Sequence, residues 1–123
     1  MPISNYARER VALLIGGSAN TPDVGSGYLA VGSGSGALSV NTTGLLSHFD
    51  RNLFTGGSVD LATVQEIGMT ADFNNAELSG LALGQFGVFV ESSGGQAWQV
   101  ENTFPITFNG TNELQVEIRW QVF

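Results

Sequence analysis

"ELQVEIRWQVF" (113–123) is the stretch that decides the fold. Leu114, Val116, Ile118, Trp120 and Val122 alternate with Glu113, Gln115, Glu117, Arg119 and Gln121. Successive side chains of an extended chain point to opposite faces, so this segment is a strand with one apolar face and one wet face. Sheets that are dry on one side only are built from antiparallel strands, with hairpins between them.

Working backward, the same period holds over most of the chain. "QAWQVENTF" (96–104) reads as the preceding strand and is taken to end before Pro105, after which "ITF" meets the loop "NGTN" (109–112). "SSGG" (92–95) is a hairpin signal, since glycine supplies the positive φ that tight turns require. It joins that strand to one over 85–91, within the apolar, turn-punctuated run "ELSGLALGQFGVFVES" (77–92). In "VDLATVQEIGMTADF" (59–73), Val59, Leu61 and Thr63, and then Ile67, Met69, Ala71 and Phe73, favour one face. Residues 59–123 therefore form the main antiparallel strands.

The first third differs. Residues 4–15 predict a helix, with Ser4 as N-cap, Ile3, Tyr6, Ala7, Val11, Leu14 and Ile15 near one stripe, and Gly16-Gly17 as the stop. Residues 18–27 are a polar loop, 28–31 a short strand and 32–41 a Gly/Ser loop. In 42–54, Leu45, Leu46, Phe49 and Leu53 at helical spacing behind two threonines predict one or two helical turns or an irregular, apolar-anchored segment. The expected fold is mainly β: one domain over 1–123, an antiparallel, jelly-roll-like β-sandwich with a short N-terminal helix or arm over 1–17.

Composition narrows the function. Charged residues make up 12% of the 123, about half the usual fraction. Eleven carboxylates face four arginines and no lysine, a net charge of −7. Such a balance argues against a nucleic-acid surface built on phosphate neutralisation, and equally against an anionic membrane. No segment approaches the length of a membrane span, and no secretory signal is expected from "MPISNYARERVALLIGG". The lack of cysteine excludes disulfides and zinc–thiolate sites and is compatible with synthesis in a reducing cytoplasm. Few charges also imply that much of the surface is covered by neighbours.

Candidate chemistry is sparse. "YLAVGSGSGA" (28–37) matches G-x-G-x-x-A at Gly32, Gly34 and Ala37, with Asp50 18 positions after Gly32. A dinucleotide turn needs a βαβ unit, whereas "LSVNTT" follows here and hairpins follow that, so a loop is expected and no cofactor. His48, the one histidine, stands beside Asp50 and Arg51, but neither a second histidine nor a nucleophile-elbow serine accompanies it. The carboxylates show no calcium-loop spacing, and no metal is expected. Asn41-Thr42-Thr43 and Asn109-Gly110-Thr111 match glycosylation acceptors, read as coincidental without a secretory signal. Phe86, Phe89, Trp98, Phe104, Phe108, Trp120 and Phe123 crowd the C-terminal half. They read as sandwich core plus subunit interface ahead of a glycan-binding platform.

"YLAVGSG" (28–34), "QFGVF" (85–89) with Ser93-Gly94-Gly95, and Phe104-Pro105, behind an N-terminal helix, resemble small virion structural proteins of tailed bacteriophages. Gln85 departs from the acidic residue commoner there. The resemblance implies a capsid-decorating (cement) protein, or a tail-collar or fibre-attachment domain, without catalysis. Its partners would be the major capsid protein or other virion proteins, in a homo-oligomer, expected to be a trimer, located in the virion. Contact residues expected on this basis are Ile3, Tyr6, Arg8 and Arg10 of the N-terminal segment, Gly32, Gly34 and Gly36 of the loop, and Arg51.

Overall fold

The structure, a computed structural model, describes residues 4–16, 27–39, 41–60 and 66–121. In chain order the elements are α1 (Asn5–Ile15), β1 (Tyr28–Ser33), β2 (Ser47–Leu53), β3 (Gly56–Asp60), β4 (Glu66–Phe73), α2 (Asn75–Leu78), β5 (Ala82–Phe89), β6 (Gln99–Thr107) and β7 (Leu114–Gln121). They form a four-stranded sheet in the order β2-β1-β5-β6 and a three-stranded sheet in the order β3-β4-β7. Every strand pairing is antiparallel.

One core joins the sheets. Leu29 and Val31 of β1 and Leu83 and Val88 of β5 face Met69, Ala71 and Phe73 of β4, all buried. Burying these side chains against one another removes apolar surface from water, the main force holding the two layers of the β-sandwich together. From β7, Leu114, Val116, Ile118 and Trp120 pack half-buried against this core, while Gln115, Glu117 and Arg119 are exposed. The alternation read from the sequence is the alternation observed.

A second cluster lies on the other face of the four-stranded sheet. Ala30, Phe89, Ala97 and Val100 are buried there beneath Leu38 and Leu45 of the segment between β1 and β2. That sheet is thus covered on both faces, which is why "QFGVF" reads as continuously apolar rather than alternating. An irregularity in pairing between Leu83 and Gln85 lets Leu83 enter the inter-sheet core while Gln85 serves the outer face.

Several expectations are corrected. Residues 47–53 are strand β2, not helical turns: antiparallel pairing with β1, Tyr28 opposite Leu53 and Ser33 opposite Ser47, outweighs the i, i+4 spacing. Phe49 and Leu53 are correspondingly exposed rather than a buried stripe. Of the two alternating sets read in 59–73, Val59 falls on β3 and Ile67, Met69, Ala71 and Phe73 on β4, and these strands pair with each other, Val59 opposite Ile67. Pro105 does not end β6, which continues to Thr107. A proline lacks only the N–H, and β6 is an edge strand whose pairing with β5 shifts register near it. The short helix α2 was not expected; Asn74 caps it, accepting from Glu77 N–H while the Glu77 carboxylate accepts from Asn74 N–H. Ile3 and most of loop 18–27 lie outside the described residues, as do Leu61, Thr63, Val122 and Phe123.

Candidate interaction surface

The segment leaving β1 is held down by a chain of side-chain hydrogen bonds. The Gln85 amide, 1% exposed, accepts from Leu46 N–H at 2.9 Å and donates to Asn102 Oδ1 at 3.0 Å. Asn102 Nδ2 in turn donates to the Gly36 carbonyl at 2.8 Å. Two strands thereby clip both limbs of the loop, and a polar group buried in an apolar strand finds the partners it must have. Beneath the clip the sheet lacks side chains. A Cβ on Gly87 would stand 2.5 Å from Leu45 Cδ1, and one on Gly32 would stand 2.9 Å from Leu45 Cδ2. These glycines admit the loop's leucine to the sheet face.

The helix is pinned at its first turn. Ser4 Oγ accepts from Ala7 N–H, as an N-cap should, and also donates to the Ala97 carbonyl at 2.9 Å. Ser4 N–H reaches the Trp98 carbonyl, and Asn5 Nδ2 donates to Asn41 Oδ1 of the loop. Ala7 is fully buried and Tyr6 half-buried, whereas Val11 is 42% exposed. The expected apolar stripe therefore packs only over its N-terminal part among the described side chains.

Arg51 forms a third constellation. Its Nη1 donates to the carbonyls of Glu91 and Gly94, its Nε donates to His48 Nε2 at 3.4 Å, and its guanidinium lies 3.8 Å from the Phe89 ring centroid. Burial, and then the Arg51 charge, hold the His48 pKa below its ordinary value, with Asp50 opposing. Asp50 Oδ1 accepts from Arg51 N–H, and no hydrogen bond joins it to His48 among the described residues. The pair is not arranged as a base with its orienting carboxylate.

The expected contact residues thus fall into two places. Tyr6 and Arg10 flank a shallow depression with Asn41, Thr43 and Gln96, the Arg10 guanidinium 5.3 Å from the Tyr6 ring centroid. Arg8 is exposed on α1. Gly34, Gly36 and Arg51 lie over the outer face of the four-stranded sheet, Gly34 exposed and Gly36 bonded to Asn102. Gly32 is buried where a Cβ would stand 2.3 Å from the Ser47 carbonyl oxygen and 2.9 Å from Leu45, so its missing side chain serves an internal approach. β1 leads into this loop and then into antiparallel β2, not into a helix at the glycines, so the dinucleotide arrangement is not formed. Trp98 is 5% exposed, and its ring stacks on Trp120 with centroids 6.4 Å apart. Trp120 Nε1 donates to Gln99 Oε1. Among the described residues no group of three His, Asp or Glu side chains converges to hold a metal, and no helix is long and apolar enough to cross a membrane.

Sequence reasoning missed Gln85 and Asn102 as the loop's clip. The available signal was a glutamine inside "LGQFGVF", where burial on both sides demands a partner. No family model and no curated protein matches the chain.

Proposed function

We propose that this chain is a non-enzymatic structural protein of a tailed-phage virion, a cement protein binding between major capsid subunits. Binding the assembled shell in preference to its parts stabilises the shell by mass action. The observation that carries this reading is the state of the four-stranded sheet's edges. Edge strands β2 and β6 expose Phe49 and Leu53, and Phe104 and Ile106, with Phe104 86% exposed. Lysine is one common guard of an edge, and this chain has none; Pro105 on β6 and Asp50 and Arg51 on β2 are the guards present, beside these apolar groups. Large exposed apolar groups on unpaired edges fit a protein held between neighbours. The low charge and the resemblance to small tailed-phage virion structural proteins support it, and Arg8 and Arg10 of α1 supply cations for acidic neighbours.

Copy number tests the proposal. Quantitative mass spectrometry and a cryo-electron-microscopy map of virions carrying the chain are expected to find hundreds of copies at capsid-subunit junctions. About a dozen copies or fewer at the neck or tail would assign it instead to the collar or fibre attachment. Absence from the virion overturns both.

A further inference from the structure

Arg51 stands on the rim of a depression of about 410 Å³ with Leu45 and Phe89 in its lining and the 92–95 turn as one wall. Three of its five N–H donors are spent within the chain: two on the Glu91 and Gly94 carbonyls and one on His48. The two on Nη2 have no hydrogen-bond partner among the described residues. No carboxylate is ion-paired with Arg51 among those residues either, although Glu91 acts on it at longer range. In a chain of net charge −7, this cation is fixed in place yet carries no direct counter-ion among the described residues.

Such a guanidinium has already lost its rotamer freedom to the Phe89 ring and to two backbone carbonyls. A carboxylate arriving at Nη2 meets a preorganised planar donor beside apolar surface, where charge-assisted hydrogen bonds are strongest. Leu46, 66% exposed, and the exposed Phe49 and Leu53 lie on the same edge strand or just before it. We propose that this depression receives an Asp or Glu side chain of a partner protein, presented on a segment that also carries apolar residues. The inference concerns the site alone and holds whether that partner is a capsid, tail or other protein.

The test is an NMR titration of the full ¹⁵N-labelled chain with N-acetyl-glutamate N-methylamide, and with the glutamine analogue as the neutral control. The glutamate probe is expected to give saturable shifts at Arg51 Nε–H and the Gly94 and Gly95 amides, with Kd on the order of millimolar. The glutamine probe is expected to give none. Glu91→Gln removes the competing charge and tightens binding several-fold. Arg51→Lys keeps the charge but loses the guanidinium anchored on the Glu91 and Gly94 carbonyls, abolishing saturation while the spectrum outside residues 91–95 stays native. Absence of saturation in both wild type and Glu91→Gln overturns the proposal. So does an equal response to the two probes, or undiminished binding in Arg51→Lys. Tighter binding of free succinate than of the side-chain probe would assign the site to a small metabolite, against the proposal.

Discussion

His48 shows how much a single residue depends on its surroundings. In the sequence it is a histidine beside an aspartate; in the fold its Nε2 accepts a hydrogen bond from Arg51, which requires the neutral ring. The pKa is held down first by burial and then by the Arg51 charge. Between the lowered folded value and the ordinary 6.5, the unfolded chain binds the more protons, so stability falls as pH falls. The contribution is complete above 6.5 and is lost as pH drops through the folded value. His48→Gln retains an acceptor and removes the titration. We expect it to flatten the decline of the urea midpoint that sets in as pH falls below 6.5. An unchanged decline in the variant would place its origin elsewhere.

At the scale of elements, the clip over the outer sheet face governs how the 34–46 segment is held. Gln85→Met keeps the volume but strands Leu46 N–H and one face of the Asn102 amide. The expected cost in urea unfolding is about 1–3 kcal/mol, two hydrogen bonds of about 0.5–1.5 kcal/mol each. Amide exchange should accelerate most at Leu46, and unchanged protection there would show that apolar packing of Leu45 alone holds the loop. The legibility of individual elements follows the same physics. β7 was legible because one of its faces is buried and the other wet, so its pattern carries the period directly. The N-terminal helix was legible from its cap and glycine stop. β2 was misread because both its neighbourhood and its exposure are set by β1, far back in the chain, and its leucines and phenylalanine happen to match a helical spacing. α2 carried a readable N-x-x-E capping box, but it fell inside a run already dominated by the strand period. Of the expected contact residues, the sequence named Gly34, Gly36 and Arg51, which the fold places over one face of the four-stranded sheet. It could not reveal that Gly32 serves an internal contact, because Leu45 reaches it only through the fold.

Among the described residues the four-stranded sheet ends on β2 and β6, with no strand paired outside either and few charges to keep them apart from other chains. Phe104 is the extreme case, an aromatic side chain almost wholly in water beside Pro105 on β6. Phe104→Lys should leave the unfolding midpoint within about 0.5 kcal/mol of wild type, since no packing is lost. Sedimentation equilibrium should show weaker self-association at high concentration, because lysine is a natural guard of an edge. A wild-type chain that stays monomeric at every concentration would leave this edge to a different partner rather than to itself.

By itself the sequence determined the mainly β character, the turn glycines Gly94 and Gly95 between two antiparallel strands and the helix behind Ser4, because each depends on neighbours within a few positions. The strands themselves stop at Phe89 and resume at Gln99, wider apart than 92–95 implied. Only the tertiary structure decided that the strands divide into two sheets, that the glycine-rich loop folds back onto its own sheet, and that Arg51 is anchored with one nitrogen to spare. Those outcomes rest on contacts between residues tens of positions apart, such as Arg51 with Glu91 and Gly36 with Asn102, which no local period encodes.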